Sequence, residues 1–274
     1  MNNWEQLRAD SLILEDEAIL ALNKPAGISV VGEYQEKDIV ELAKEAGEQL
    51  FPVHRIDKVT SGLVLFAKSI AIHGGLTRQF NKRTVDKAYL VVTKSTGLPQ
   101  KGVIDLPLSV GRKGRVRVAA LRENIVANHE TGQWLVRPSD VLEVRNYPSV
   151  TQFATVWNDD EYSILVVRPI TGRRHQIRVH LAWIGYPILG DPLFDKAGAV
   201  REGRTFLHSW RLGIDAEWLG GERIEIEAMP GRDFWEPVHE RVPEGNSSVI
   251  MQEAQRLLVE LKLDALRRGA LGRV

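Results

Sequence analysis

His54-Arg55-Ile56-Asp57-Lys58-Val59-Thr60-Ser61-Gly62-Leu63-Val64-Leu65-Phe66-Ala67-Lys68 begins as a charged loop and ends as an unbroken apolar strand. The change of character falls at Thr60-Ser61-Gly62, where turn residues give way to a run suited to a fully buried strand. Outward from it, further short runs rich in Val, Ile, Leu and aromatics predict strands over 18–23, 88–93, 151–157, 162–168, 207–214 and 223–228. Helical spacing predicts helices over 38–50, with Asp38 as N-cap, over 174–184 and over 248–268. Strands and helices do not alternate as β-α-β units. The fold class expected is therefore α+β, built around a mixed or antiparallel sheet with flanking helices and loops.

The chain has 274 residues, 43% of them hydrophobic, and no cysteine. Disulfides, thiolate catalysis and Cys-ligated metal centres are excluded at once. The acidic start and the lack of about 18 consecutive apolar residues point to a cytoplasmic protein without a membrane span. Lys and Arg total 36, as do Asp and Glu, yet the balance hides segregation. Residues 1–50 carry 4 bases against 11 acids, whereas 51–122 carry 14 against 3. Such a one-sided surplus of positive charge suits a polyanion, although a solvated basic face would have the same composition.

Asp57 is one of the three acids in that basic segment, with Arg55 and Lys58 close by. Neighbouring cations favour an ionised carboxylate, fit for a nucleophile and unfit for a general acid. A second segment, Arg168-Pro169-Ile170-Thr171-Gly172-Arg173-Arg174-His175-Gln176-Ile177-Arg178-Val179-His180-Leu181, lies within an acid-free run over 162–190. Its arginines at the start of a helix suit phosphate or carboxylate. His175 and His180 stand five apart, roughly 140° around a helix, so a shared metal is not expected and a packed histidine is. Gly111-Arg112-Lys113-Gly114-Arg115-Val116-Arg117 reads as an exposed basic hairpin tip.

These segments occur with Asn23-Lys24-Pro25-Ala26-Gly27, Lys87-Ala88-Tyr89 and Gly190-Asp191-Pro192-Leu193 in an order that resembles RluA-type RNA pseudouridine synthases. The resemblance runs from about Leu12 to Met229, interrupted over 118–147, and its two long motifs are unlike each other. Ile56 stands where the family prefers Leu, Val59 where an acid is frequent, and Phe194-Asp195 where Tyr-Gly is usual. Only eleven residues precede Leu12, so the resemblance is to the branch without an S4 RNA-binding domain.

The resemblance implies isomerisation of uridine to pseudouridine in a structured ribosomal or transfer RNA, without metal or small-molecule cofactor, by a protein that works as a monomer. Asp57 matches the essential carboxylate, Tyr89 the tyrosine that stacks on the target base, and Arg178 the arginine that keeps the aspartate ionised. Arg55 would fill the space left by the extruded base, Ile177 would wall it, and Arg174 would touch a phosphate. His54, Arg112, Lys113 and Arg115 complete the expected RNA contacts. The active cleft is expected where the Asp57 loop meets the turn bearing Arg178. A pseudouridine synthase domain is expected over 12–230, with 118–147 resembling an insertion. A C-terminal extension over 231–274 would end in an amphipathic helix packed on that domain. A catalytically silent RNA-binding or chaperone protein on the same fold is the nearest rival, which an intact Asp57, Tyr89 and Arg178 disfavours. An aspartate phosphotransferase would need a second acid close to Asp57, and 58–85 contains none. A glycosidase would normally need two carboxylates flanking the bond.

Overall fold

The computed structural model describes residues 3–32, 37–94, 97–128, 130–242 and 247–271. The chain runs α1 (Trp4–Ser11), β1 (Leu12–Glu15), β2 (Ile19–Lys24), α2 (Ile39–Glu45), β3 (Phe51–Pro52), β4 (Ser61–Ala67), α3 (Ile70–Lys82) and β5 (Asp86–Thr93). Then come β6 (Lys101–Asp105), β7 (Leu108–Val110), β8 (Val116–Val118), β9 (Ile125–Asn128), β10 (Gln133–Val136), β11 (Asn146–Tyr147), β12 (Val150–Asn158) and β13 (Ser163–Pro169). It closes with α4 (Gln176–Trp183), α5 (Lys196–Glu202), β14 (Leu207–Ala216), β15 (Glu222–Glu227), α6 (Arg232–Trp235) and α7 (Ser247–Leu271). This is an α+β protein with mixed sheet pairing, as the sequence predicts. All seven predicted strands are present, within two residues at each end. Among the described residues no helix is long and apolar enough to cross a membrane.

Two compact units share the chain. The first comprises Met1–Tyr89 and Leu207–Asp233, the second Leu90–Phe206 and Phe234–Val274. In the first unit β1, β2, β4 and β14 lie side by side, with β3 also on β4 and β15 on β14. β2 and β4 are antiparallel, while β4 and β14 are parallel through His208 opposite Ser61 and Ser209 opposite Gly62.

β4 is buried at every position because both of its faces are covered. Leu63, Leu65 and Ala67 pack with Ile19, Ala21 and Leu76 of α3 on one side. Val64 and Phe66 pack with Leu20, Leu22, Trp4 of α1 and Ile39, Leu42 and Ala43 of α2 on the other. α2 starts with a reciprocal capping box between Asp38 and Glu41. Ile56 and Tyr89 belong to this second cluster, which places the charged loop and the tyrosine over the same core.

In the second unit β13, β12, β6, β10 and β9 follow one another. All neighbours are antiparallel except β10 on β6. The 118–147 stretch thus contributes the β9–β10 hairpin to this sheet. α7 packs on β12 and β13, and Lys101 bonds Glu260 and Asp264 of that helix at 2.6 and 3.3 Å. A small sheet of β11, β7 and β8 carries the Gly111–Arg117 turn between β7 and β8.

Candidate active site

The Asp57 loop is tied down on every side. The Asp57 carbonyl accepts from the Thr60 amide at 3.0 Å, closing a turn, and the Lys58 carbonyl accepts from the Gly27 amide at 2.8 Å. Lys24, only 1% exposed, donates from Nζ to the carbonyls of Pro25 and Ile28, both at 2.8 Å, and to that of Lys58 at 3.3 Å. A buried ammonium keeps its charge only where acceptors replace water, and three carbonyls do so here. The Asn23–Gly27 motif is therefore a brace for the loop. Ile56 is buried between an exposed Arg55 and a half-buried Asp57.

His54 anchors the loop from its other end. Its Nε2 accepts from the Leu65 amide at 3.1 Å, and its ring stacks on Phe80 at 4.8 Å. Burial lowers its pKa to about 3, and the charge of Lys87 adds to the effect. The imidazole is neutral, with the proton on Nδ1. Anchoring is a role that the sequence reading, which placed His54 among the RNA contacts, did not assign.

At the exit of the loop, the Ser61 hydroxyl lies 2.9 Å from His208 Nδ1, and His208 Nε2 lies 2.8 Å from the Ala228 carbonyl. A carbonyl can only accept, so Nε2 carries the proton and Nδ1 accepts from Ser61. Gly62 has φ +106°, and a Cβ there would overlap the Ser209 carbonyl. Glycine lets β4 approach β14 this closely.

Tyr89 stands on β5 above the cluster that holds Ile56. Burial raises its pKa to about 12; the Ser209 hydroxyl works the other way, and the negative charge of Asp57 raises it further. The first unit thus brings Asp57 and Tyr89 within electrostatic reach and keeps the phenol protonated near neutrality.

In the second unit Arg178 sits on α4, whose residues 176–182 are all buried. Its guanidinium grips Asp191 with two bonds, Nε to Oδ2 at 2.7 Å and Nη2 to Oδ1 at 2.8 Å, with 4% and 0% of the two side chains exposed. Asp191 Oδ1 also accepts from the Leu193 amide at 2.9 Å. The departure from the family at Asp195 has a use in this turn, since its carboxylate accepts from the amides of Gly190 and Gly198.

α4 begins at Gln176, two residues later than predicted, because His175 takes a left-handed conformation at φ 54°. Gln176 accepts from Thr171 and the Arg173 amide and donates to the Val150 carbonyl and Thr151. His180 continues this network, with Nδ1 at 2.9 Å from Thr151 and Nε2 at 3.0 Å from the Leu106 carbonyl. Burial lowers its pKa to about 4, partly offset by the Leu106 carbonyl. It is the packed, hydrogen-bonded histidine expected.

Ile177 is buried, whereas Arg174 is exposed and donates to the Gly114 carbonyl at 3.4 Å. Arg112, Lys113 and Arg115 are exposed on the β7–β8 turn. Sequence reasoning gave no role to His208, nor to Asp191 within the Gly190–Leu193 motif. Each carried a local signal, a histidine on an otherwise apolar strand and an acid ending the acid-free run. Among the described residues no three His, Asp or Glu side chains group as metal ligands.

The fold is that of pseudouridylate synthase domains. Human RNA pseudouridylate synthase domain containing 4 superposes with a TM-score of 0.67, at 22% identity over 86% of this chain and 94% of that one. Residues 18–183 match the RNA pseudouridylate synthase family, so the chain belongs to that family of RNA-modifying enzymes. An uncharacterized RNA pseudouridine synthase of Haemophilus influenzae is 28% identical, over 82% of this chain and 89% of its own length. The dual-specificity RNA pseudouridine synthase RluA of Escherichia coli K12 is 32% identical, over 74% of this chain and 85% of its own.

Proposed function

We propose that this enzyme isomerises uridine to pseudouridine at a defined position in ribosomal or transfer RNA, with Asp57 as the reacting carboxylate. The reaction breaks the N1–C1′ bond, turns the base, forms a C5–C1′ bond, and moves one proton from C5 to N1. Atoms and electrons balance within the nucleotide, so the isomerisation requires no oxidant, reductant or group donor. Cleavage builds positive charge at C1′, which an ionised carboxylate stabilises or captures covalently. Tyr89 stacks on the base and its phenol takes part in moving the C5 proton. Arg178 supports the aspartate as its cation, Arg55 fills the gap left by the flipped base, and Ile177 packs beside it. Arg174, Arg112, Lys113 and Arg115 meet phosphates. The enzyme works as a cytoplasmic monomer.

The observation that carries this reading is the shared placement of Asp57 and Tyr89 over one core, with the charge of the first felt by the phenol of the second. The test uses RNA from cells lacking the protein, tritiated at uridine C5, because isomerisation releases that hydrogen. Asp57→Asn should bind RNA within about twofold of wild type and release no tritium above background, a loss confined to the chemical step. Substantial turnover by the Asn variant would remove Asp57 from the mechanism. Sequencing pseudouridines in cells with and without the protein identifies the RNA.

A further inference from the structure

The arginines of this protein fall into two groups. Arg241 pairs with Asp159, Asp160 and Glu161, Arg223 with Asp86 and Asp215, Arg211 with Glu225 and Glu227, and Arg256 with Glu253 and Glu260. By contrast, none of the four cations of the β7–β8 hairpin, nor Arg145, Arg173 or Arg174, pairs with a carboxylate among the described residues. The acid nearest Arg145 in sequence, Glu143, is exposed and pairs with none of them.

These unneutralised cations are gathered by structure. Tyr147 lies on β11, opposite Leu108 of β7, which places it in the small sheet that carries the hairpin. The Arg145 guanidinium lies 5.4 Å from the Tyr147 ring centroid and that of Arg173 lies 5.2 Å from it. The next residue, Arg174, reaches Gly114 at the hairpin tip. The Arg173 Nε is buried and makes no hydrogen bond. One half-buried ring thus holds two guanidinium groups, each short of an anionic partner, beside a basic turn.

We infer that Arg145 and Arg173, held by Tyr147, form a phosphate-binding shelf for the RNA backbone, adjoining the hairpin contact and extending it. Guanidinium is the cation best matched to phosphate, through two parallel N–H groups. Stacking on the tyrosine restricts long side chains in advance, so less conformational freedom is lost when the anion arrives. A polyanion is the occupant because several like charges in one small region repel one another until a repeating negative charge opposes them. The shelf rests on the RNA reading proposed above and concerns affinity rather than the isomerisation.

The test compares wild type, the double variant Arg145→Gln/Arg173→Gln, Tyr147→Leu, and Arg241→Gln as a control arginine already matched with acids. A short single-stranded oligoribonucleotide is titrated at several salt concentrations, and single-turnover tritium release is followed at saturating cellular RNA. The double variant should flatten the dependence of log affinity on log salt by about 1.4, two contacts at about 0.7 each. Its turnover at saturation should stay within about twofold of wild type. Tyr147→Leu should weaken binding about three- to tenfold while nearly keeping the slope, because both charges remain and only their preorganisation is lost. Arg241→Gln should change neither. An unchanged slope in a double variant with wild-type melting temperature and turnover overturns the shelf alone. A wild type that binds RNA but releases no tritium from any RNA overturns the catalytic reading and leaves the shelf standing. A wild type that binds no RNA overturns both.

Discussion

At Lys24 an ammonium group sealed from solvent holds three carbonyls, one of them Lys58, the residue after Asp57. Lys24→Met keeps the length and apolar stem but removes every donor, leaving polar groups that each cost about 1–3 kcal/mol when unsatisfied. We expect single-turnover rates to fall at least about tenfold with RNA affinity little changed, since the turn that aims Asp57 loosens. Equal loss of rate and affinity would make Lys24 a general support of the fold. Tyr89→Phe separates the two roles proposed for Tyr89, stacking and proton movement. The ring remains, so binding should persist, while a rate loss of about 10²-fold marks the hydroxyl as a participant. A loss below about threefold would leave Tyr89 as a stacking surface. Asp57, Tyr89 and Arg178 could be nominated from the sequence because each stands inside a motif of the resemblance. The contacts of His208 and Asp191 could not, because each depends on a partner that folding brings up. For His208 that partner is Ser61, on a strand that runs parallel to its own.

Among the elements, the longer strands were legible because runs of branched and aromatic residues mark them, whereas β1, β3 and β6 to β11 were not predicted. α3 escaped because Gly74-Gly75 interrupts it, and glycine costs about 1 kcal/mol against alanine inside a helix. A Cβ at Gly75 would meet only the tip of the exposed Glu217 side chain, which can swing aside. The start of α4 was misjudged by two residues because the left-handed His175 and the Gln176 network are invisible to periodicity. The β7–β8 hairpin is an element whose role can be separated from the chemistry. Replacing Arg112, Lys113 and Arg115 with Gln should flatten the salt dependence of binding by about two contacts of 0.7 each. Turnover at saturating RNA should hardly change. An unaltered slope would return the hairpin to a solvated basic turn.

Across the whole molecule, two histidines kept neutral by burial tie stability to pH. His180 protonates at about 4 in the folded protein, against 6.5 for a histidine side chain free in water. Below 6.5 the unfolded chain takes up a proton that the folded chain refuses, so stability that is full above 6.5 drains away as pH falls toward 4. The loss attributable to His180 is about 1.4 kcal/mol per pH unit in that window. His54, held at about 3, acts in the same direction. Urea unfolding at a series of pH values should show a shallower dependence in His180→Gln than in wild type. Parallel curves would mean that the ring is charged in the fold.

The division of the chain also sets a timetable for its synthesis. β4 carries the residues that follow Asp57, yet its parallel partner β14 begins at Leu207, about 140 residues later. At about 5–20 residues per second, the ribosome needs roughly 7–30 seconds to supply it. Through that interval the Ser61–Gly62 end of one edge of β4 has no β14 to pair with, while β3 already pairs with Phe66 and Ala67 further along it. Such an edge invites pairing with other chains. A nascent chain released at residue 206 should therefore collect in the insoluble fraction, whereas one extended through β15 should gain solubility abruptly.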